Sequence, residues 1–130
     1  MFDYINYKGE VIITGYKGSA TEVVIPSEIE GKPVTSIGIL AFCERRRLKS
    51  VTIPDSVTII GSWAFNDCTG LTDLKIPNSV TSIGYAAFDG CNSLKDVYYA
   101  GTAEQWEQIE IGSYNRELYK AKKHFIRKLN

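Results

Sequence analysis

A chain of 130 residues, 44% hydrophobic and 23% charged, is long enough to form one domain with a real core. Fifteen basic residues balance fifteen acidic ones, so the chain lacks the long-range positive field of a duplex nucleic-acid binder or a polybasic membrane binder. No apolar run approaches the roughly 20 residues that cross a bilayer, and Met1 to Asn6 has neither a basic nor an apolar leader region, so neither membrane insertion nor an export signal is expected in this sequence.

In chain order, Phe2 to Tyr7 and Glu10 to Thr14 flank Lys8-Gly9 and read as a hairpin, the N-terminal cap within residues 1–19. Thr21-Glu22-Val23-Val24-Ile25-Pro26 reads as a strand ended by a proline, which has no N–H to donate onward. Ser27 to Pro33 carries Gly31 and Pro33 and is expected to be a surface loop. The phrase from Ile53-Pro54 through Val57, Ile60-Gly61 and Ala64-Phe65 to Cys68 then returns 23 positions later, from Ile76-Pro77 through Val80, Ile83-Gly84 and Ala87-Phe88 to Cys91. Val34, Ile37, Gly38, Ala41, Phe42, Leu48 and Val51 supply an earlier copy.

A fixed period of this size means stacked coils, each burying its hydrophobic edge against its neighbours. Within one unit Leu71, Leu74 and Ile76 follow an L-x-x-L-x-L strand pattern with inward apolar residues, and Val80 to Ile83 reads as a second extended segment on another wall. Gly84 is expected to turn the chain through a positive φ. Tyr85 to Phe88 reads as a brief helical or 3₁₀ turn whose phenylalanines, Phe42, Phe65 and Phe88, stack into a ladder. Thr102-Ala103-Glu104-Gln105 is a capping-box pattern opening a short helix with Trp106, and Asn115 is expected to start another through Leu118. Residues 20–99 are thus repeats and 100–130 a C-terminal cap, within a single domain 1–130 that looks complete at both ends. The fold class is a mostly β repeat solenoid, a short right-handed coil with parallel strands on one wall, an N-terminal hairpin cap and a C-terminal helical cap.

Inward-facing Leu, Val and Ile leave alternate strand positions pointing out, and solenoids bind ligands on such extended faces. The candidate partner-binding residues are Thr52, Thr72, Asp73, Lys75, Lys95, Asp96 and Tyr98, beside Thr21, Glu22, Val24, Lys49 and Ser50; a plain solvated sheet face is the competing reading. Trp63, in phase with Leu40 and Ala86, and Tyr85, one phase earlier, either pack or form a staggered exposed patch, and packing is the expectation. The basic clusters, Glu44-Arg45-Arg46-Arg47 and Lys120, Lys122, Lys123, Arg127, Lys128, read as solubilising surface, with an anionic polymer the alternative ligand.

Cys68 and Cys91 share a phase, but in-register side chains point the same way, so buried free thiols are expected rather than a disulfide. No Cys-x-x-Cys pair accompanies His124, and no nucleophile elbow, phosphate loop or zinc-protease motif occurs, so no metal, no cofactor and no catalysis are expected.

The unit I-P-x-S-V-T-x-I-G-x-x-A-F-x-x-C-x-x-L-x-x-[LV], at 53–74 and 76–97, resembles the BspA-like, Treponema-type leucine-rich repeats of bacterial surface proteins. The likeness extends to Thr21–Pro26, to Val97–Trp106 and to Ile109–Leu118, nearly the whole chain. It implies an exported, non-catalytic binding or adhesion protein at the cell surface, whose partners are proteins such as host matrix or bacterial surface proteins. The different-class alternative is an intracellular or structural scaffold without an extracellular ligand, which the missing export signal favours. A second departure is Arg45 at the repeat cysteine phase, with Cys43 two places early; since an unpaired arginine is not buried, a locally rearranged turn is expected there.

Overall fold

Short apolar strands punctuated by proline and glycine in every unit can bury their inner edges only against the next unit. A computed structural model, which describes residues 1–126, shows that arrangement. The elements are β1 (Phe2–Tyr7), β2 (Glu10–Tyr16), β3 (Glu22–Val24), β4 (Glu28–Ile29), β5 (Lys32–Ile37), β6 (Ser50–Thr52), β7 (Ile59–Ile60), β8 (Asp73–Pro77), β9 (Ser82–Ile83), β10 (Asp96–Ala100), α1 (Ala103–Glu107), β11 (Glu110–Ile111), α2 (Arg116–Lys120) and β12 (Lys122–Phe125).

One wall is a five-stranded parallel sheet ordered β12-β10-β8-β6-β3. The second wall joins β2, β5, β7, β9 and β11 in parallel, with β1 antiparallel on β2 and β4 antiparallel on β5. Val23, Val51, Leu74 and Val97 are in register on the first wall, as are Ile37, Ile60 and Ile83 on the second, and all seven are buried. Between them Phe42, Phe65 and Phe88, each 0% exposed, stack at 5.0 Å and 5.2 Å with interplanar angles of 10° and 4°. The expected solenoid and its aromatic ladder are therefore present.

Four local expectations are corrected. Ser27 to Pro33 is not an irregular loop. Its β4–β5 hairpin pairs Glu28 with Pro33 and Ile29 with Lys32 around Glu30 (φ 52) and Gly31 (φ 78), the two left-handed residues of a tight hairpin turn. Gly84 does not take a positive φ. It is small because the coils touch there: a Cβ on Gly84 would lie 2.5 Å from Ser62 N, and one on Gly61 2.9 Å from Ile39 N. The left-handed residues come two places later, at Leu40, Trp63 and Ala86 (φ 63, 55 and 55), which breaks the Ala-Phe segment into successive turns instead of a helix. Nor is the turn rearranged at Arg45. Its N–H donates to Phe42 O and its O accepts from Leu48 N, just as Cys68 bonds to Phe65 and Leu71. Arg45 escapes burial because the chain above it supplies no Ala-Phe turn, leaving a 280 Å³ hollow beside Tyr16, Gly18 and Ser19.

The two ends are closed differently. Tyr16 stacks on Phe42 at 5.7 Å and Phe2 meets the same ring edge-on at 6.5 Å, so the hairpin covers the first end of the ladder. Along the ladder Phe42 N–H donates to Ala64 O and Phe65 N–H to Ala87 O; at the last coil Phe88 N–H donates instead to Oδ1 of Asn115 at 2.9 Å. Asn115 precedes α2 but makes no side-chain cap bond to it. It is 1% exposed, and its Nδ2 donates to Gly84 O and Gly112 O, so its amide stands in for the backbone of an absent next coil. Thr102 and Gln105 form the expected capping box on α1, with reciprocal bonds of 3.1 and 2.9 Å.

β12 adds a fifth parallel strand where a solvated basic tail was expected. Lys123 sits at the inward phase opposite Val97, and its ammonium donates to the carbonyls of Leu118, Tyr119 and Ala121 at 2.5, 2.7 and 2.8 Å, closing the C-terminal end of α2. Burial pushes the Lys123 pKa below its ordinary value. Arg127 and Lys128 of the same cluster lie outside the described residues.

Candidate partner-binding surface

Because side chains alternate along a strand, the pairing of the first wall sets its outer face into rows. Glu22, Ser50, Asp73, Asp96 and Lys122 form one row; Val24, Thr52, Lys75, Tyr98 and His124 form the next. Thr21, Lys49, Thr72 and Lys95, each just before one of these strands, are joined by backbone bonds from Lys49 to Thr21, Thr72 to Lys49 and Lys95 to Thr72 at 2.6, 2.9 and 3.0 Å. Of the seven candidate residues, Thr52, Asp73, Lys75, Asp96 and Tyr98 occupy outward positions of the paired strands, while Thr72 and Lys95 stand just before β8 and β10; Lys75 and Lys95 are exposed and the other five half-buried.

They do not all share one hollow. Thr52, Lys75 and Tyr98 line a groove of 460 Å³ with Pro54, Ala100 and Ile126, whereas Thr72, Asp73, Lys95 and Asp96 lie outside it. The lining is mostly apolar, with the Lys75 ammonium, the Tyr98 phenol and the Asp55 carboxylate among its few polar groups, a combination that anchors an apolar side chain and orients it by hydrogen bonds. Ile126 is 53% exposed beside it.

Sequence reading missed His124 and Ile126. His124 Nε2 lies 2.8 Å from Asp96 Oδ1, and its ring stacks on Tyr98 at 4.5 Å and 15°. The contact fixes the orientation of Tyr98 over the groove. Its signal was hidden because Lys123 takes a phase that earlier units fill with valine or leucine, and because Val97 pairs with Lys123 instead of a residue 23 positions on.

On the turn side of the coils the large side chains are exposed, contrary to the expected packing. Trp63 and Tyr85 are 40% and 43% exposed, with ring centroids 5.3 Å apart at 72°, and Tyr114 continues the contact from Tyr85 at 5.1 Å and 58°. Leu40, Trp63 and Tyr114 are left-handed (φ 63, 55 and 66), a conformation that costs a bulky L-residue about 1–2 kcal/mol.

A BspA type leucine rich repeat model matches residues 16–117 in six copies. The chain belongs to the BspA-type leucine-rich repeat family. No curated protein sequence matches it. Among solved structures it is similar to a leucine-rich repeat protein of Bacteroides capillosus (27% identity, TM-score 0.78, covering 98% of this chain and 94% of that one). It is also similar to the Treponema pallidum leucine-rich repeat protein (27%, TM-score 0.72, 95% and 61%) and to a leucine-rich cell surface protein of Faecalibacterium prausnitzii (26%, TM-score 0.72, 98% and 41%). The chain thus spans less than two thirds of the Treponema and Faecalibacterium proteins. Proteins of this repeat family are interaction modules, and the fold is that of bacterial repeat proteins.

The repeat cysteines are structural. Cys68 and Cys91, both 0% exposed, are free thiols whose Sγ atoms donate to Phe42 O and Phe65 O of the preceding coil, each at 3.1 Å. Its contact with Cys68 and its burial push the Cys91 thiol far up in pKa, which keeps it protonated. Cys43, out of phase, is half-buried near Asn66 Oδ1 at 3.8 Å, and desolvation raises its pKa as well. Among the described residues no group of three His, Cys, Asp or Glu side chains is arranged to hold a metal, and no helix is long and apolar enough to cross a membrane.

Proposed function

We propose that this BspA-type chain is a non-catalytic protein-binding module of a bacterial cell surface, engaged in adhesion to a host matrix or bacterial surface protein through its five-stranded wall. The supporting observation is the groove in which Thr52, Lys75 and Tyr98, three outward residues from three successive strands, meet the apolar Pro54, Ala100 and Ile126. Tyrosine is a favoured interface anchor because it adds large apolar area and a hydroxyl while losing little rotamer freedom. Lys75 supplies charge for a carboxylate or carbonyl on the partner, and the Asp73–Asp96 row limits which charges lie beside it. A surface location is supported by the family and by the Faecalibacterium cell surface protein that shares the fold.

The test is capture from a panel of immobilised matrix and bacterial surface proteins, comparing the wild type with the combined Lys75→Ala and Tyr98→Ala variant. Capture should fall at least about tenfold, the loss expected when anchor residues are truncated. The melting temperature should stay nearly fixed, because Lys75 is exposed and Tyr98 half-buried. Undiminished capture by the folded variant would remove the groove as the site.

A further inference from the structure

We propose that Leu40, Trp63, Tyr85 and Tyr114 form a second docking surface, for a partner protein segment that carries arginine, with the guanidinium lying on the Trp63 and Tyr85 rings beside Asp67 and Asp89. This surface lies on the turn side of the coils and does not depend on the groove of the strand wall.

The ridge is exposed and continuous. Leu40, Trp63, Tyr85 and Tyr114 are 52%, 40%, 43% and 65% exposed, and the three rings touch in sequence. The fold, moreover, imposes a left-handed residue at the phase of Leu40, Trp63, Ala86 and Tyr114, where glycine or asparagine would sit without strain. Three of the four are instead large and apolar, and strained residues of this kind collect at binding surfaces. The one exception, Ala86, is preceded by Tyr85, which bridges Trp63 to Tyr114 so that the ridge has no gap.

Charge selects the occupant. The two central turn segments, Gly61 to Gly70 and Gly84 to Ser93, contain no lysine or arginine, and their only charged residues are Asp67 and Asp89. Asp67 N–H donates to Asp89 O at 2.8 Å, and Asn66 N–H to Trp63 O at 3.2 Å, which sets the backbones of the two acids side by side and Asp67 just past the turn that Trp63 opens. Arg45 to Arg47 belong to the first coil of this side, and Arg116 and Lys120 line a hollow at the other end together with Asp89 and Tyr114, so Asp67 is the acid of the ridge's centre. Rings tilted by 72° and 58° make no flat platform for a sugar or a base. They offer faces to a guanidinium and edges to its aliphatic stem, and carboxylates nearby complete its hydrogen bonds.

The protein is titrated with a synthetic decapeptide alternating arginine and leucine, and separately with its glutamate–leucine counterpart, while the two tryptophan indole N–H resonances are followed by NMR. Trp106, on α1 and 8% exposed, is the internal control. The arginine peptide should move the Trp63 resonance and leave Trp106 in place. Trp63→Asn, and the double change Asp67→Asn with Asp89→Asn, should each weaken its binding at least tenfold while the spectrum stays dispersed, since asparagine accepts the left-handed backbone. The proposal is overturned if Trp63 fails to move at millimolar arginine peptide, if the glutamate peptide moves it as far, or if both variants bind like the wild type.

Discussion

Phe65 is the residue on which stacking bears most heavily, and Phe65→Ala tests the reasoning most severely. Its ring is 0% exposed and sandwiched between Phe42 at 5.0 Å and Phe88 at 5.2 Å. Truncating a buried phenylalanine costs about 3–5 kcal/mol in lost transfer energy and residual cavity. Two stacked partners, each contributing about 0.5–1.5 kcal/mol beyond burial, put this site toward the upper half of that range. With an unfolding entropy of about 2.1 cal/mol/K per residue, a loss of about 4 kcal/mol in a 130-residue chain lowers Tm by about 15 °C. Thermal unfolding by circular dichroism reads this directly. Because the gap left is one ring thick and lined by two parallel phenyl faces, benzene should bind there and restore part of the lost Tm. A shift of less than about 4 °C, corresponding to roughly 1 kcal/mol, would mean that the column does not hold neighbouring coils together.

Two further predictions concern the end of the stack and the thiols. Asn115→Ala leaves Phe88 N–H buried without an acceptor and should cost about 1–3 kcal/mol in urea unfolding. Asn115→Asp keeps that acceptor but sets a carboxylate against the oxygens of Gly84 and Gly112, raising the new group's folded pKa. The folded state then binds the proton more tightly than the unfolded one, so its stability should recover as pH falls toward about 4 and be lost as pH rises through the folded pKa; a pH-independent deficit would contradict this. In the unreduced native protein, complete burial should keep a thiol reagent at neutral pH from Cys68 and Cys91 while half-buried Cys43 is modified slowly, with three free thiols appearing in denaturant; fewer than three would reveal a disulfide that the free-thiol assignment excludes.

The solenoid was legible because stacking constrains every copy alike. Ile37, Ile60 and Ile83, or Phe42, Phe65 and Phe88, must each match the residue above and below, so the period of the apolar residues is the fold itself. Single residues with two possible uses were less legible. Glycine at position 84 serves tight contact between coils as well as it serves a left-handed turn, and nothing local separates the two uses. The turn lies at Leu40, Trp63 and Ala86, residue types that carry no left-handed signature. β12 was hidden for a related reason. At the last coil there is no further neighbour to satisfy, so Lys123 replaces the inward valine or leucine and neutralises the carbonyls at the end of α2 instead.

The same logic explains why the candidate surfaces were only partly visible. A repeat conserves what neighbouring coils demand of each other, and a partner can be recognised only by what the repeat leaves free. On the strand wall the free rows are Glu22, Ser50, Asp73, Asp96 and Val24, Thr52, Lys75, Tyr98, whose chemistry changes from strand to strand; alternation located these in the sequence, while Lys122 and His124, which extend the rows on β12, escaped it. On the turn side the free phase is also a strained one, and strain is a property of coordinates. Trp63 reads in the sequence as a packed residue, yet Leu40, Trp63 and Tyr114 each hold an apolar side chain outward on a left-handed backbone that asparagine adopts with less strain. Trp63→Asn therefore separates the two demands on one residue. If its backbone strain were offset only by packing against Tyr85, the variant would lose stability, whereas a side chain kept for a partner predicts a Tm held or raised together with lost binding.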